Sequence, residues 1–175
     1  MNEIVSTINE KIGNEAGLDN VTLFGVAEPV VRREGDYMDV VIPVIIKPDG
    51  ECMDVLHDDI RDITSYHRLK QKSYTTIMSK GFGNDPQRAV VYDMSLVVYG
   101  KRSAIDFMRL ERICVRAIED VAMRDKSVQT EVTTTNFNRI EVWQSEYAGL
   151  PFPIEPDIFL FKINYKLTRV QSPCH

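Results

Sequence analysis

The sequence predicts one α+β domain, a mainly antiparallel β-sheet with a short N-terminal helix and one long amphipathic helix packed on it. Two stretches, 90–99 and 159–168, alternate between apolar and more polar residues, as half-buried antiparallel strands do. Between these stretches lies an apolar stripe at helical spacing, formed by Phe107, Leu110, Cys114, Ile118 and Val121. Runs of strands separated by helices are typical of α+β proteins and not of doubly wound α/β proteins.

The N-terminal third predicts a helix followed by a β-hairpin. Apolar residues recur every four positions at Ile4, Ile8 and Ile12. Gly13 or Gly17 is suited to end this helix. A strand is then predicted at Val21 to Val26, with a turn at Glu28-Pro29, after which the strand resumes. The polar segment 33–36, which contains a glycine, predicts the hairpin connection.

The second strand of this hairpin is predicted at Met38–Ile46, where alternate residues are apolar. Pro43 lies inside it and has no N–H group to donate, which predicts a free sheet edge or a bulge at that position. Pro48-Asp49-Gly50 is typical turn chemistry. The stretch from Cys52 to Leu69 has no clear pattern, and residues 58–63 fit either a helical turn or a loop.

The remaining elements follow from local composition. Residues 74–78 predict a strand, and the glycine-rich segment from Lys80 to Arg88 predicts a loop. The long helix is predicted from Ser103 to about Met123, because Asp106 three residues after Ser103 is related to a capping box. Two β-rich segments, 128–135 and 139–143, precede a proline-rich loop at 149–156. We find no repeat or linker, and therefore predict a single domain over residues 1–175.

Composition restricts the function classes. The chain has 175 residues, of which 43% are hydrophobic, so it is long enough to bury a core and ordinary enough to be globular. Its net charge of −5 argues against free nucleic acid as the main partner, because phosphate binding needs basic surface. No apolar run approaches the roughly 20 residues needed to cross a bilayer, so we expect no membrane association.

Cysteine use and the N-terminus predict an intracellular setting. Cys52, Cys114 and Cys174 are too few, and odd in number, for a disulfide framework, which favours a reducing compartment. The first residues do not have the basic and apolar regions of a signal peptide. Cys114 falls on the apolar stripe of the long helix, where cysteine acts as a small hydrophobic residue.

Catalytic motifs are missing from the sequence. The segment 81–85 has two glycines but lacks the third glycine, the Lys-Ser/Thr pair and the helix start of a phosphate-binding loop. No G-x-S-x-G elbow occurs. We therefore predict a protein that is not an enzyme, with no catalytic residues and no cofactor.

The strongest chemical alternative is a metal site around His57, Asp58 and His67. This region places nitrogen, oxygen and sulfur ligands close together in sequence: Cys52, Asp54, His57, Asp58, Asp59, Asp62 and His67. The spacings match no metal-ligand signature, and a solvated acidic loop is the favoured explanation. We predict no metal ligands here and keep a small metal-dependent enzyme as an alternative function.

Several residues are candidates for an interface. Trp143, Tyr147 and Phe152 surround the proline-rich loop, and the first two either anchor a binding surface or cover the sheet. The exposed edge at Pro43 suits a partner strand, which leaves a peptide-binding adaptor as a further alternative. Arginines three or four residues apart place like charges on one side of the long helix: Arg109, Arg112 and Arg116. A polar helix face is usually only solvated, but such a row is repulsive unless acidic partners meet it, and a neighbouring copy of this acidic chain would supply them.

The order of these elements resembles the proteins that complete the head–tail junction of tailed bacteriophages, the tail terminators and connector ring proteins. Five pieces carry the resemblance: the Ile4-Ile8-Ile12 helix, the strands within 21–46, the strand 90–99, the helix 103–123 and the closing strand 159–165. The long segment 52–70 and the extra strands after the long helix depart from that pattern. The likeness lies in element order and not in a shared motif, so it assigns no functional residue.

The resemblance implies a virion structural protein without enzymatic activity, made in the cytoplasm of the host bacterium. Copies would form a homo-oligomeric ring against portal, adaptor or tail proteins, through head-to-tail contacts that close by rotation. DNA would pass nearby without specific binding, which suits a mildly acidic channel.

Overall fold

The computed structural model describes residues 2–16, 21–34, 38–46, 52–54, 63–70, 74–79, 86–152 and 156–171. These residues form three helices: α1 (Asn2–Ala16), α2 (Phe107–Arg124) and α3 (Arg139–Glu146). They also form eight strands: β1 (Val21–Glu34), β2 (Met38–Ile46), β3 (Cys52–Asp54), β4 (Ile63–Leu69), β5 (Tyr74–Ser79), β6 (Pro86–Lys101), β7 (Val128–Asn136) and β8 (Ile158–Gln171). The predicted α+β class is confirmed.

The strands form one sheet in the order β3-β2-β1-β4-β6-β8-β7. The pairing of β1 with β4 is parallel, and the other described pairings are antiparallel. β6 pairs with β8 from Arg88 to Lys101 and so forms the centre of the sheet. On the other side of β6, β4 lies opposite Met94–Tyr99 and β5 lies opposite Pro86–Val91.

Helices α1 and α2 pack against each other and enclose the larger core cluster against one face of the sheet. The predicted helical faces are confirmed, because Ile8, Ile12, Leu110, Cys114 and Ile118 are all buried. The sheet contributes every second residue of β6 and β8 to this cluster: Met94, Leu96, Val98, Phe161, Ile163 and Tyr165. Removing this apolar surface from water is the main stabilising contribution to the fold.

The opposite face of the sheet is covered by α3. Here a second cluster combines residues of β4, β6, β8, α3 and the C-cap of α3: Tyr66, Val97, Tyr99, Val142, Trp143, Tyr147 and Leu160. The sequence predicted strands buried on one face only. Both faces are buried at this end of β6, which explains why Val97 and Tyr99 are apolar although they point away from α1 and α2.

The prediction of a strand at Arg139 to Trp143 is wrong, because this segment begins α3. The side chain of Asn138 accepts hydrogen bonds from the backbone N–H groups of Ile140 and Glu141 and so caps the helix. Asn138 followed three residues later by Glu141 is a capping pattern that identifies the helix start.

The start of α2 also differs from the prediction. Asp106 and not Ser103 is the N-cap, since the Asp106 carboxylate accepts from the backbone N–H of Met108 at 2.9 Å. The Ser103 hydroxyl instead donates to Asp157 at 3.1 Å. The predicted strand of residues 128–135 is confirmed as β7.

Two further boundaries are corrected, and one is narrowed. Strand β1 runs without a turn through Glu28-Pro29. Helix α1 continues through Gly13 and ends at Ala16, which agrees with the second of the two predicted exits, at Gly17. Residues Pro86–Arg88 of the predicted loop belong to β6, whereas 80–85 lie outside the described residues. The unassigned stretch contains β3 and β4 at its two ends, and 55–62 lie outside the described residues.

Candidate functional site

His67, the one described residue of the predicted metal region whose side chain can be placed, lies in the core between the sheet and α1. Its Nδ1 atom is 2.8 Å from the Tyr165 hydroxyl, and its Nε2 atom is 2.8 Å from Oδ1 of Asn9. Because the Asn9 oxygen only accepts, Nε2 carries the proton and donates it. Nδ1 then accepts from the Tyr165 hydroxyl, so the neutral imidazole has both nitrogens satisfied.

Burial keeps His67 neutral. The side chain is fully enclosed, and desolvation lowers its pKa from the ordinary value of 6.5 to about 3. A metal ion would need one of the two nitrogens that already have hydrogen-bond partners. His57, Asp58, Asp59 and Asp62 lie outside the described residues. Over the part of the chain that the structure describes, no group of three or more His, Cys, Asp or Glu side chains is placed to hold a metal ion.

A buried carboxylate on α3 forms a second polar centre. Glu146 is 1% exposed, and Arg68 of β4 donates to its Oε2 at 2.7 Å. Lys162 of β8 donates to Oε1 of the same carboxylate. The two cations offset the cost of burying the carboxylate, and together they attach α3 to β4 and β8.

The aromatic residues proposed as an interface lie beside this ion network. Trp143 and Tyr147 are 8% and 1% exposed and belong to the second cluster, so they cover the sheet. The Trp143 indole donates to the carbonyl of Leu150 at 3.1 Å. Phe152 is half-buried against Trp143, with ring centres 5.9 Å apart, and it is less buried than Trp143 and Tyr147.

The arginines predicted as an interface are exposed on α2. Arg109, Arg112 and Arg116 all lie on the side of the helix opposite its buried stripe. On the flank of α2 that faces α1, Asp120 forms an ion pair with Lys11. The structure therefore brings the three arginines together on one surface, as the spacing predicted.

Pro43 lies in β2 directly opposite Pro29 of β1, within an uninterrupted register. β3 pairs with β2 only at Val44–Ile46, so among the described residues no strand bonds to the outer side of β2 at Pro43. Of the two sequence predictions, the free edge is the one that the register supports. Neither proline has an N–H group, and this pairing places both where no ladder bond is required.

A polar groove of about 230 Å³ lies on the sheet face that carries α3, beyond the end of that helix. Its lining includes Lys70, Asp93, Thr133, Asn164 and Lys166. The groove forms where β7 shifts register between Val132 and Thr134. Sequence reasoning missed it, because it depends on the pairing of strands that are distant in the chain.

No protein-family model matches the chain, and no curated protein matches it significantly. None of the described helices is both long and apolar enough to span a membrane.

Proposed function

We propose that this chain is a ring-forming structural protein of a tailed-bacteriophage head–tail junction, similar to a connector or tail terminator. Copies would assemble around the DNA channel of the virion, against portal, adaptor or tail proteins. The protein would be made in the cytoplasm of the host bacterium and would have no enzymatic role.

The observation that carries this proposal is the arrangement of elements about one sheet. A short N-terminal helix leads into the β1–β2 hairpin, α2 packs with α1 across the sheet, and β8 returns to pair with the central β6. This is the order that the sequence resemblance implies.

The placement of reactive side chains supports an assembly role over a catalytic one. His67 is fully bonded within the core, Cys114 is buried in the helix stripe, and Glu146 is held between two cations. These side chains have packing and ion-pair roles that stabilise the scaffold. Among the described residues, the row formed by Arg109, Arg112 and Arg116 on α2 is exposed, and its charge favours contact with an acidic surface.

The proposal is tested with the purified full-length chain. Light scattering and negative-stain electron microscopy are expected to show closed rings of many copies. The gene is expected to lie beside portal, capsid or tail genes, and its deletion from the phage is expected to leave heads and tails unjoined.

A monomer at all concentrations, without phage structural genes nearby, would overturn the proposal. Metal analysis tests the enzymatic alternative on the same sample. Stoichiometric zinc or manganese that is lost when His57 and His67 are both replaced would favour a metalloenzyme. A single dominant peptide partner that binds along β2 would favour the adaptor.

A further inference from the structure

We infer that the exposed arginine row of α2 (Arg109, Arg112 and Arg116) binds an exposed acidic row of α1 (Glu3 and Glu10) in a second copy of this chain. The inference rests on the proposed ring and specifies the contact between its neighbouring subunits. The two helices lie side by side on one face of the sheet, and their outward sides carry opposite charges at matching spacing.

The outer face of α2 has the composition of an interface. Arg109, Arg112 and Arg116 lie along it, and Met108 and Met123 are 40% and 80% exposed at its two ends. Arginine and methionine are both enriched in protein interfaces relative to other surface. Glu119, the exposed acidic side chain of this face, follows the three arginines. Three positive charges against one negative charge leave the face positive.

The outer face of α1 has the opposite charge. Glu3 and Glu10 are exposed and lie two helical turns apart, so they point to the same side of the helix. Glu15 is also exposed near the end of α1, where it pairs with Lys11 at 3.5 Å. Lys11, the one cation among the described residues of α1, also bonds to Asp120 of α2. The charge that α1 presents outward is therefore negative.

The spacing of the two rows matches. Glu3 and Glu10 are seven residues apart, as are Arg109 and Arg116. Seven residues of α-helix rise about 10.5 Å, so both glutamates reach both arginines when the two helices lie side by side in either direction. Arg112 then lies between the two pairs.

The two rows do not meet within one chain. The contact between α1 and α2 uses their buried stripes and the Lys11–Asp120 pair at its margin, whereas the rows lie on the outward sides. Because both rows face outward from the same side of the sheet, two copies can pair both rows at once as a two-fold dimer, or each copy can offer its basic row to the acidic row of the next in a head-to-tail contact. Repetition of that contact generates a ring when the rotation closes.

The test reverses each row separately and then together. The basic-row variant carries Arg109→Glu and Arg116→Glu, and the acidic-row variant carries Glu3→Lys and Glu10→Lys. A chain with all four changes restores opposite charges and returns the net charge to the wild-type −5. The matched control, Arg88→Glu with Lys126→Glu, changes two exposed cations elsewhere by the same total charge as the basic-row variant.

Assembly is measured by sedimentation velocity over a concentration series, with circular dichroism to check that each variant is folded. Each two-site row variant is expected to weaken association by at least about a hundredfold, because like charges then face each other. The control and the four-site chain are expected to assemble as the wild type does. Wild-type assembly is also expected to weaken when salt rises to about 1 M, where the screening length falls to about 3 Å.

The outcomes separate this inference from the proposed function. Rings that form unchanged in both row variants, or that the four-site chain fails to recover, would overturn the helix contact and leave the ring proposal standing. A wild-type dimer that the row variants dissociate would support the contact and overturn the ring. A wild-type monomer at every concentration would overturn both.

Discussion

The Tyr165 hydroxyl donates a hydrogen bond to Nδ1 of His67 across the intervening strand β6, with 2.8 Å between the two atoms. The other imidazole nitrogen donates to Asn9 of α1. One neutral side chain therefore connects β4, β8 and the N-terminal helix inside the core. Its environment is apolar, and a fully bonded neutral imidazole is stable there, whereas an imidazolium is not.

Stability is expected to fall in mild acid because of His67. Its folded pKa of about 3 lies below the ordinary value of 6.5, so the unfolded chain binds the proton more tightly. The contribution of this histidine is therefore complete above pH 6.5, and it decreases as the pH falls towards 3. The slope approaches one proton, about 1.4 kcal/mol of unfolding free energy per pH unit.

Urea unfolding between pH 4 and pH 7.5 measures this dependence. Carboxylates also titrate at low pH, so the difference between the wild type and His67→Gln isolates the histidine. Glutamine retains a donor and an acceptor but does not titrate. Parallel pH profiles for the two proteins would contradict the assignment of His67 as a buried neutral group.

Removal of the Glu146 carboxylate is expected to destabilise the fold strongly. Glu146→Ala leaves Arg68 and Lys162, whose side chains are 20% and 13% exposed, without their shared anion. Loss of one partner of a buried ion pair costs about 3–5 kcal/mol, and the partial exposure of both cations places the expected loss near the lower end. Chemical denaturation measures the change.

The matched control is Glu119→Ala, which removes an exposed carboxylate from the middle of α2. This change is expected to alter the unfolding free energy by no more than about 0.5 kcal/mol. Equal effects of the two substitutions would show that Glu146 has no special role in attaching α3 to the sheet.

The parts of the fold that sequence reasoning predicted are those with local signals. Alternation located β6 and β8, and the helical stripe located α2, because each pattern is contained in one segment. The role of His67 was beyond such reasoning. Its partners are 58 and 98 positions away, and only the assembled sheet brings them together.

The second core cluster could not be predicted from the sequence for the same reason. Trp143 and Tyr147 have two sequence readings, and the choice between them depends on where α3 lies relative to the sheet. The β-type composition of residues 139–143 predicted a strand, but the cap at Asn138 and burial of Val142 and Trp143 against β6 and β8 override that propensity. The arginine row was predictable, since it lies within one helix.

Two substitutions near the start of α2 are expected to differ in their effect on stability. Asp106→Ala removes the N-cap carboxylate and is expected to lower the unfolding free energy by about 1 kcal/mol. Ser103→Ala removes one exposed hydrogen bond to Asp157 and is expected to cost less than half of that. Thermal and urea unfolding of both variants measures the difference. A larger effect at Ser103 would place the helix start three residues earlier.

The rate of thiol labelling at Cys114 is expected to measure how often α2 separates from the sheet. Burial, with a smaller contribution from the nearby Glu111 carboxylate, raises the pKa of its thiol above the ordinary range. The reactive thiolate is therefore scarce in the folded protein, and reagents cannot reach it. The experiment uses a chain that carries Cys52→Ser and Cys174→Ser, so that Cys114 is the remaining thiol. Labelling of the folded chain at pH 8 is expected to be at least about a thousandfold slower than labelling in 6 M urea. The reason is that a stability of about 5 kcal/mol keeps the fraction of unfolded chain below about one in a thousand. Labelling of the folded chain within tenfold of the unfolded rate would mean that α2 separates from the sheet far more readily than its packing implies.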